Sequence, residues 1–174
     1  MLNIEHFKLI PATLADYLTI QNMARFYTYD LSEYMGFEEG WEMPENGLYK
    51  CFDFKKYWQD ETALPFLIRY QNELAGFVII DKKGSDVEVD FNMAQFFILR
   101  KFQHKGVGKY IANECFKKFK GTWEVMVMPV NDSACQFWKS VISDYTNNTF
   151  GEYSRANLHL GHDEIRNMFR FSSK

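Results

Sequence analysis

Phe96-Phe97-Ile98-Leu99-Arg100-Lys101-Phe102-Gln103-His104-Lys105-Gly106-Val107-Gly108-Lys109 joins an apolar run to an amphipathic one through a basic loop with two close glycines. Upstream, Ala94 to Leu99 is nearly continuously apolar and bounded by charge, as a strand covered on both faces would be. Downstream, Val107, Ile111, Cys115 and Phe119 recur four apart and mark one buried helix face, which Gly121 ends. A strand-loop-helix of this kind suits a phosphate. The first N–H groups of a helix are unpaired and point outward, the helix dipole adds positive character, and glycines let an anion approach without a Cβ clash. Lys105 and Lys109 add full charges.

Working outward, Asn3 to Ile10 alternates like a short strand, and Pro11 with Thr13 starts a helix carried by Leu14, Leu18 and Met23 to Phe26. Tyr27 to Trp58 holds Gly36, Gly40, Pro44 and Gly47 among many aromatics, which predicts short helical pieces joined by turns. Leu64 to Tyr70 and Leu74 to Asp81 read as a hairpin across Gln71-Asn72-Glu73, and Val87 to Phe91 alternates. Thr122 to Met128 is a strand, Asn131 caps a helix through Val141, and Tyr145 to Phe171 contains two more strands. The order is strand, helices, three strands, helix, strand, helix, strands. At 174 residues, without repeat, low-complexity tract or linker, residues 1–174 are expected to form a single α/β (α+β) domain.

The N-terminus lacks a basic start followed by an apolar stretch, and no run of 18 apolar residues occurs, so neither a secretory leader nor a membrane span is expected. Cys51, Cys115 and Cys135 are odd in number and form no CxxC pair, which fits buried thiols in a reducing cytoplasm. A net charge of −3 argues against general nucleic-acid binding. That charge is uneven. From Phe26 to Glu61 nine acids face three bases, whereas from Arg100 to Lys120 seven bases face only Glu114. His159-x-x-His162 with Asp163 and Glu164 lacks a third ligand at set spacing, so no metal is expected.

The basic loop fits neither GxxxxGK[ST], because Tyr110 follows the Gly108-Lys109 pair, nor GxGxxG, because Ile111 takes the third glycine position. What remains, Gln103-x-x-Gly106-x-Gly108, resembles the [RQ]xxGx[GA] coenzyme A loop of the Gcn5-related N-acetyltransferase (GNAT) superfamily. Asn131-x-x-Ala134-x-x-Phe137-Trp138-Lys139 resembles that family's NxxAxxFYxxxGF helix, one strand further on. The resemblance is close over residues 64–143 and looser elsewhere.

It implies a mixed central sheet of about six or seven strands, helices on both faces and splayed central strands, here Ala94 to Arg100 and Trp123 to Met128. Acetyl-CoA is the implied co-substrate. Its arm would meet main-chain groups of Phe97 and Leu99, with Gln103, His104, Lys105, Gly106, Val107, Gly108 and Lys109 at the pyrophosphate and Asn131, Ala134 and Phe137 on the other side. The implied reaction is direct attack of a primary amine on the thioester in a ternary complex. The alternatives are a CoA-holding regulatory module with little catalysis, or transfer of a different acyl group.

The base candidates are Glu88 and Asp90, two apart on one strand face. Many relatives carry a carboxylate nearer the loop, and Gln95, in that kind of position, is no base. Trp138 stands where a thiolate-protonating tyrosine is usual, so Tyr145 or Tyr153 is the candidate acid. The acceptor is expected to meet the acidic, aromatic segment through Tyr29, Glu33 and Trp41, which suits a small amine or a basic peptide end. A homodimer is allowed.

Overall fold

The computed structural model describes residues 2–84, 89–156 and 165–174. A seven-stranded sheet runs in the order β1-β2-β3-β4-β5-β7-β6, with β1 Phe7–Pro11, β2 Leu64–Tyr70, β3 Glu73–Asp81, β4 Phe91–Ile98, β5 Gly121–Val127, β6 Gly151–Ala156 and β7 Ile165–Ser173. Every neighbouring pair is antiparallel except β4 with β5. That exception requires a crossover, which helix α2, Val107–Lys118, supplies.

The sheet is covered on both faces. Helix α2 sets Val107, Ile111, Ala112, Cys115 and Phe116 against one side, where α3, Asp132–Thr146, adds Trp138, Val141 and Ile142. Helix α1, Tyr17–Met35, lays Ile20, Met23 and Ala24 on the other side beside Phe54 and Tyr57 of a 3₁₀ helix, Phe54–Trp58. The alternation along β4 separates the two cores: Met93 and Ile98 face α2 and α3, while Phe97 faces α1.

Three expectations are corrected. Asn3 caps a 3₁₀ turn, Ile4–His6, so the first strand starts only at Phe7. Helix α1 continues past Phe26 to Met35 and stops at Gly36; no glycine or proline interrupts it earlier, so aromatic content alone did not break it. Helix α3 likewise passes Val141 and ends at Asn147, in the left-handed conformation at φ 51°. Among the described residues no helix is long and apolar enough to cross a membrane.

Candidate active site

The sheet opens between β4 and β5. Their pairing is confined to Phe91 opposite Trp123 and Asn92 opposite Glu124. Just beyond, the β3–β4 register slips, Ile80 facing Met93 but Ile79 facing Gln95, so Ala94 is an extra residue in β4. Such a bulge bends its strand. Beyond it β4 stays with β3 while β5 stays with β7, from Val125 opposite Phe169 to Val127 opposite Asn167. A cleft of about 790 Å³ fills the space, lined by Met93 to Phe96, by Val125 to Met128, and by Asn131, Ala134 and Trp138.

The N–H of Leu99 bonds the carbonyl of Ala75 on β3 at 2.8 Å. By strand alternation the main-chain groups of Phe96 and Ile98 therefore face the gap. This corrects the expectation that Phe97 and Leu99 would meet a ligand there: the parity is off by one. The carbonyl of Ile98 already accepts from Gln103 Nε2 at 2.7 Å, which ties the loop to the end of β4.

The loop then turns into α2. His104 and Gly106 take positive φ, 56° and 78°, and Gly106 sits at the helix N-cap. Tyr110 makes the first backward bond, to Gly106 O at 3.0 Å, so the N–H groups of Val107, Gly108 and Lys109 precede the helical ladder. A Cβ on Gly108 would lie 3.0 Å from Phe137 Cζ of α3. That glycine serves the packing of α2 on α3 as well as any ligand. Val107 is fully buried, and Lys109 pairs with Asp144 at 2.6 Å. Lys105 Nζ reaches Gln103 O at 3.4 Å. Asn131 caps α3, its Oδ1 accepting from Ala134 N at 2.9 Å.

The cleft continues onto the α1 face, past Trp41, Tyr49, Phe52 and Tyr57. Burial pushes the Tyr57 phenol well up, so it stays protonated; its oxygen accepts from Gln95 Nε2 at 3.1 Å. Lys56 Nζ lies 4.4 Å from the centroid of the Phe52 ring and 5.0 Å from that of Tyr57. Beneath, a polar row crosses the sheet: Asp81 opposite Asn92, Asn92 opposite Glu124, Glu124 opposite Arg170. Glu124 is 1 % exposed and bonds Arg170 Nη2 at 2.9 Å. Sequence patterning missed this row, because Asp81 reads as the end of one strand and Asn92 falls between the Val87–Phe91 and Ala94–Leu99 runs.

The catalytic candidates fare differently. Glu88 lies outside the described residues, as do His159, His162, Asp163 and Glu164. Asp90 stands at the closed end, accepting from Thr122 N and Oγ1, each at 2.8 Å. Those bonds hold its carboxyl below the usual range, and it does not line the cleft. Tyr145 is a further correction. It follows Asn131 by 14 residues, about 21 Å along a helix at 1.5 Å each, and packs on Phe116 and Phe171 with its hydroxyl 3.4 Å from Lys120 Nζ. Of the acceptor candidates, Trp41 lines the cleft and Tyr29 and Glu33 do not. Glu42 is the single acid of the 26–61 segment on the lining; Asp30 pairs with Arg100, Asp60 with Lys83, and Asp53 binds Tyr17.

Comparison with solved structures gives the same fold over nearly the whole chain. An acetyltransferase from Thermus thermophilus matches with TM-score 0.68 at 14 % identity, covering 95 % of this chain and 96 % of that one. The ribosomal-protein-S18-alanine N-acetyltransferase of Escherichia coli matches with TM-score 0.60 at 13 % identity, over 97 % and 94 %. The dodecameric spermidine N-acetyltransferase of Vibrio cholerae matches with TM-score 0.57 at 14 % identity, over 97 % and 95 %. No curated protein sequence matches. The acetyltransferase (GNAT) family model matches residues 23–141, and the chain belongs to that family. It is an acetyltransferase, with acetyl-CoA as co-substrate.

Proposed function

We propose that the protein transfers the acetyl group of acetyl-CoA to a primary amine of a small molecule or a basic peptide end. The observation that carries this reading is the gap between β4 and β5. It presents main-chain edges that no strand pairs and runs straight to the start of α2. Backbone groups without partners are costly unless something bonds them, and an extended amide-containing arm is the ligand whose shape and donors fit such a slot. Phe96 and Ile98 would hold the arm by their main chain. The N–H groups from His104 to Lys109, with the Lys105 charge, would hold the pyrophosphate. Asn131, Ala134 and Phe137 would flank it.

Bound there, acetyl-CoA supplies an acyl group activated as a thioester. The chain supplies position and charge. The bulge at Ala94 leaves N–H groups of β4 turned into the gap, where a donor to a developing oxyanion belongs. Lys56 already lies over Phe52 and Tyr57, so Trp41 and Tyr49 are the cleft rings left to offer a face to an ammonium. A lysine-like amine of pKa about 10.4 is neutral at pH 7 only about 1 part in 2,500, which costs about 4.6 kcal/mol, so a carboxylate that takes its proton is useful.

Titration calorimetry with acetyl-CoA tests the site. Gly106 sits at φ 78° with open space around its Cβ direction, its nearest neighbour Ile4 Cδ1 at 3.5 Å, so Gly106→Val distorts the loop without crowding the core. Binding is expected to weaken at least about a hundredfold, a loss of about 2.7 kcal/mol. Equal affinity in that variant removes the loop assignment. Thiol release with polyamines, lysine-rich peptides and neutral amines, against acidic amino acids and sugar phosphates, tests the acceptor class.

A further inference from the structure

Asp81, at the end of β3, is a buried carboxylate that makes no direct ion pair with a described residue. It is 6 % exposed and lines the cleft. Its Oδ1 accepts from Lys83 N and from Asn92 Nδ2, both at 2.9 Å. Oδ2 accepts nothing from the described residues. The nearby Lys83 ammonium is already held by Asp60 at 2.5 Å, and that bond keeps the Asp60 carboxyl at about 2. The other cation of the polar row, Arg170, is engaged by Glu124. Among the described residues Asp81 therefore makes no ion pair, and the Lys83 ammonium acts on it only at longer range.

Asn92 carries the second observation. It is 2 % exposed, its amide nitrogen is used on Asp81, and its Oδ1 is buried without any donor. The orientation of that amide is fixed, because the reverse would set its oxygen against a carboxylate oxygen. Buried polar atoms in folded proteins are nearly always satisfied, so an orphan acceptor beside a carboxylate without a direct ion pair on a cleft floor points to a donor-rich cation as ligand. An alkylammonium, with three N–H donors and one charge, suits the Asp81 carboxylate, and a small shift of the Asn92 side chain or one bridging water would bring a donor to its Oδ1. An anion or a neutral carbonyl does neither.

We propose that Asp81 is the residue that receives the acceptor's ammonium and takes its proton, and that Asn92 holds Asp81 in place for it. The proposal rests on the acetyltransfer reading and names its acceptor site. One N–H bond of the ammonium breaks and an O–H bond forms at Asp81 Oδ2; the freed lone pair is the nucleophile. Attack forms the amide C–N bond and breaks the C–S bond. The second proton lost by nitrogen balances the one gained by the thiolate, and the proton on Asp81 leaves to water. Asp81 also lies in the strand that pairs with β4 at its bulge, so this receptor sits where the two strands begin to part.

The test pairs thiol release with acetyl-CoA calorimetry, using 1,3-diaminopropane, spermidine and a lysine-terminated peptide as acceptors. Asp81→Asn is expected to lower kcat/KM for whichever amine is turned over by at least about a hundredfold, with the acetyl-CoA affinity changed less than about twofold. Asn92→Leu is expected to lower it about tenfold, mostly in kcat, because the carboxylate remains but swings. A second readout needs no variant: in the wild-type protein with coenzyme A, adding 1,3-diaminopropane should move the Asn92 side-chain amide signal in a proton–nitrogen spectrum. Wild-type turnover that Asp81→Asn leaves within about threefold, or an unmoved Asn92 signal at saturating amine, overturns the proposal while the acetyltransfer reading stands. A wild-type protein that binds no acetyl-CoA and acetylates no amine overturns both.

Discussion

The two ends of the β4–β5 pair do opposite work. At the closed end, Phe91 and Asn92 pair with Trp123 and Glu124, Asp90 ties Thr122 to the preceding loop, and Trp123 is fully buried between Phe116 and Phe171. At the open end the same two strands share no backbone bond, and a helix start and a cleft fill the space. One extra residue, Ala94, separates the regimes. The lesson is that a binding slot can be made by ending a pairing early, provided that the strands stay anchored on their outer sides and are clamped behind the slot.

The comparison can be broken at either end. Trp123→Ala should have the largest effect, about 3–5 kcal/mol lost from unfolding in urea, since a fully buried indole leaves a cavity. Acetyl-CoA affinity of the folded fraction should change little; a large loss of affinity would show that the clamp and the slot are not separable. Gly108→Leu acts at the open end. Its side chain must displace Phe137, and a calorimetric loss of at least about a hundredfold, about 2.7 kcal/mol, is expected together with a smaller stability cost of about 1–3 kcal/mol. A variant that binds normally would show that the α2–α3 contact yields without reshaping the loop.

Asp90→Asn should be the mildest. Because Asp90 is tied to Thr122 and off the cleft, kcat/KM should stay within about twofold; a larger fall restores it as a base. The folded carboxyl titrates below its unfolded value, so its stabilisation is present above the unfolded pKa, about 3.9, and disappears as pH falls through the lower folded value. The melting difference between wild type and variant should therefore be seen at neutral pH and vanish in strong acid.

Much of this was legible in the sequence. The apolar run, the glycine pair and the four-residue spacing of Val107, Ile111 and Cys115 point to a strand, a tight turn and a buried helix through local chemistry alone, although the helix ends at Lys118 and Phe119 is its extended cap. What escaped depends on registers and partners. The parity that turns Phe96 and Ile98 rather than Phe97 and Leu99 into the gap is set by the pairing with Ala75, 24 residues upstream. The reach of Tyr145 is set by how far α3 continues. The Asp81–Asn92–Glu124–Arg170 row is assembled from four strands, so no window of sequence contains it. Acidic composition misled, because Asp30, Asp53 and Asp60 had structural partners that composition cannot name.

The unpaired edges of the slot also have a consequence for how much of this protein a cell contains. A sheet left incomplete at its centre is finished by whatever fills it, and a ligand that binds only the folded chain adds stability by mass action. At a concentration about 100 times its dissociation constant the gain is about 2.7 kcal/mol, comparable with a good part of a small domain's margin. Scarcity of the co-substrate would then do more than slow the enzyme. It would expose more of the chain to unfolding and proteolysis, so that abundance follows the supply of the molecule that completes the fold.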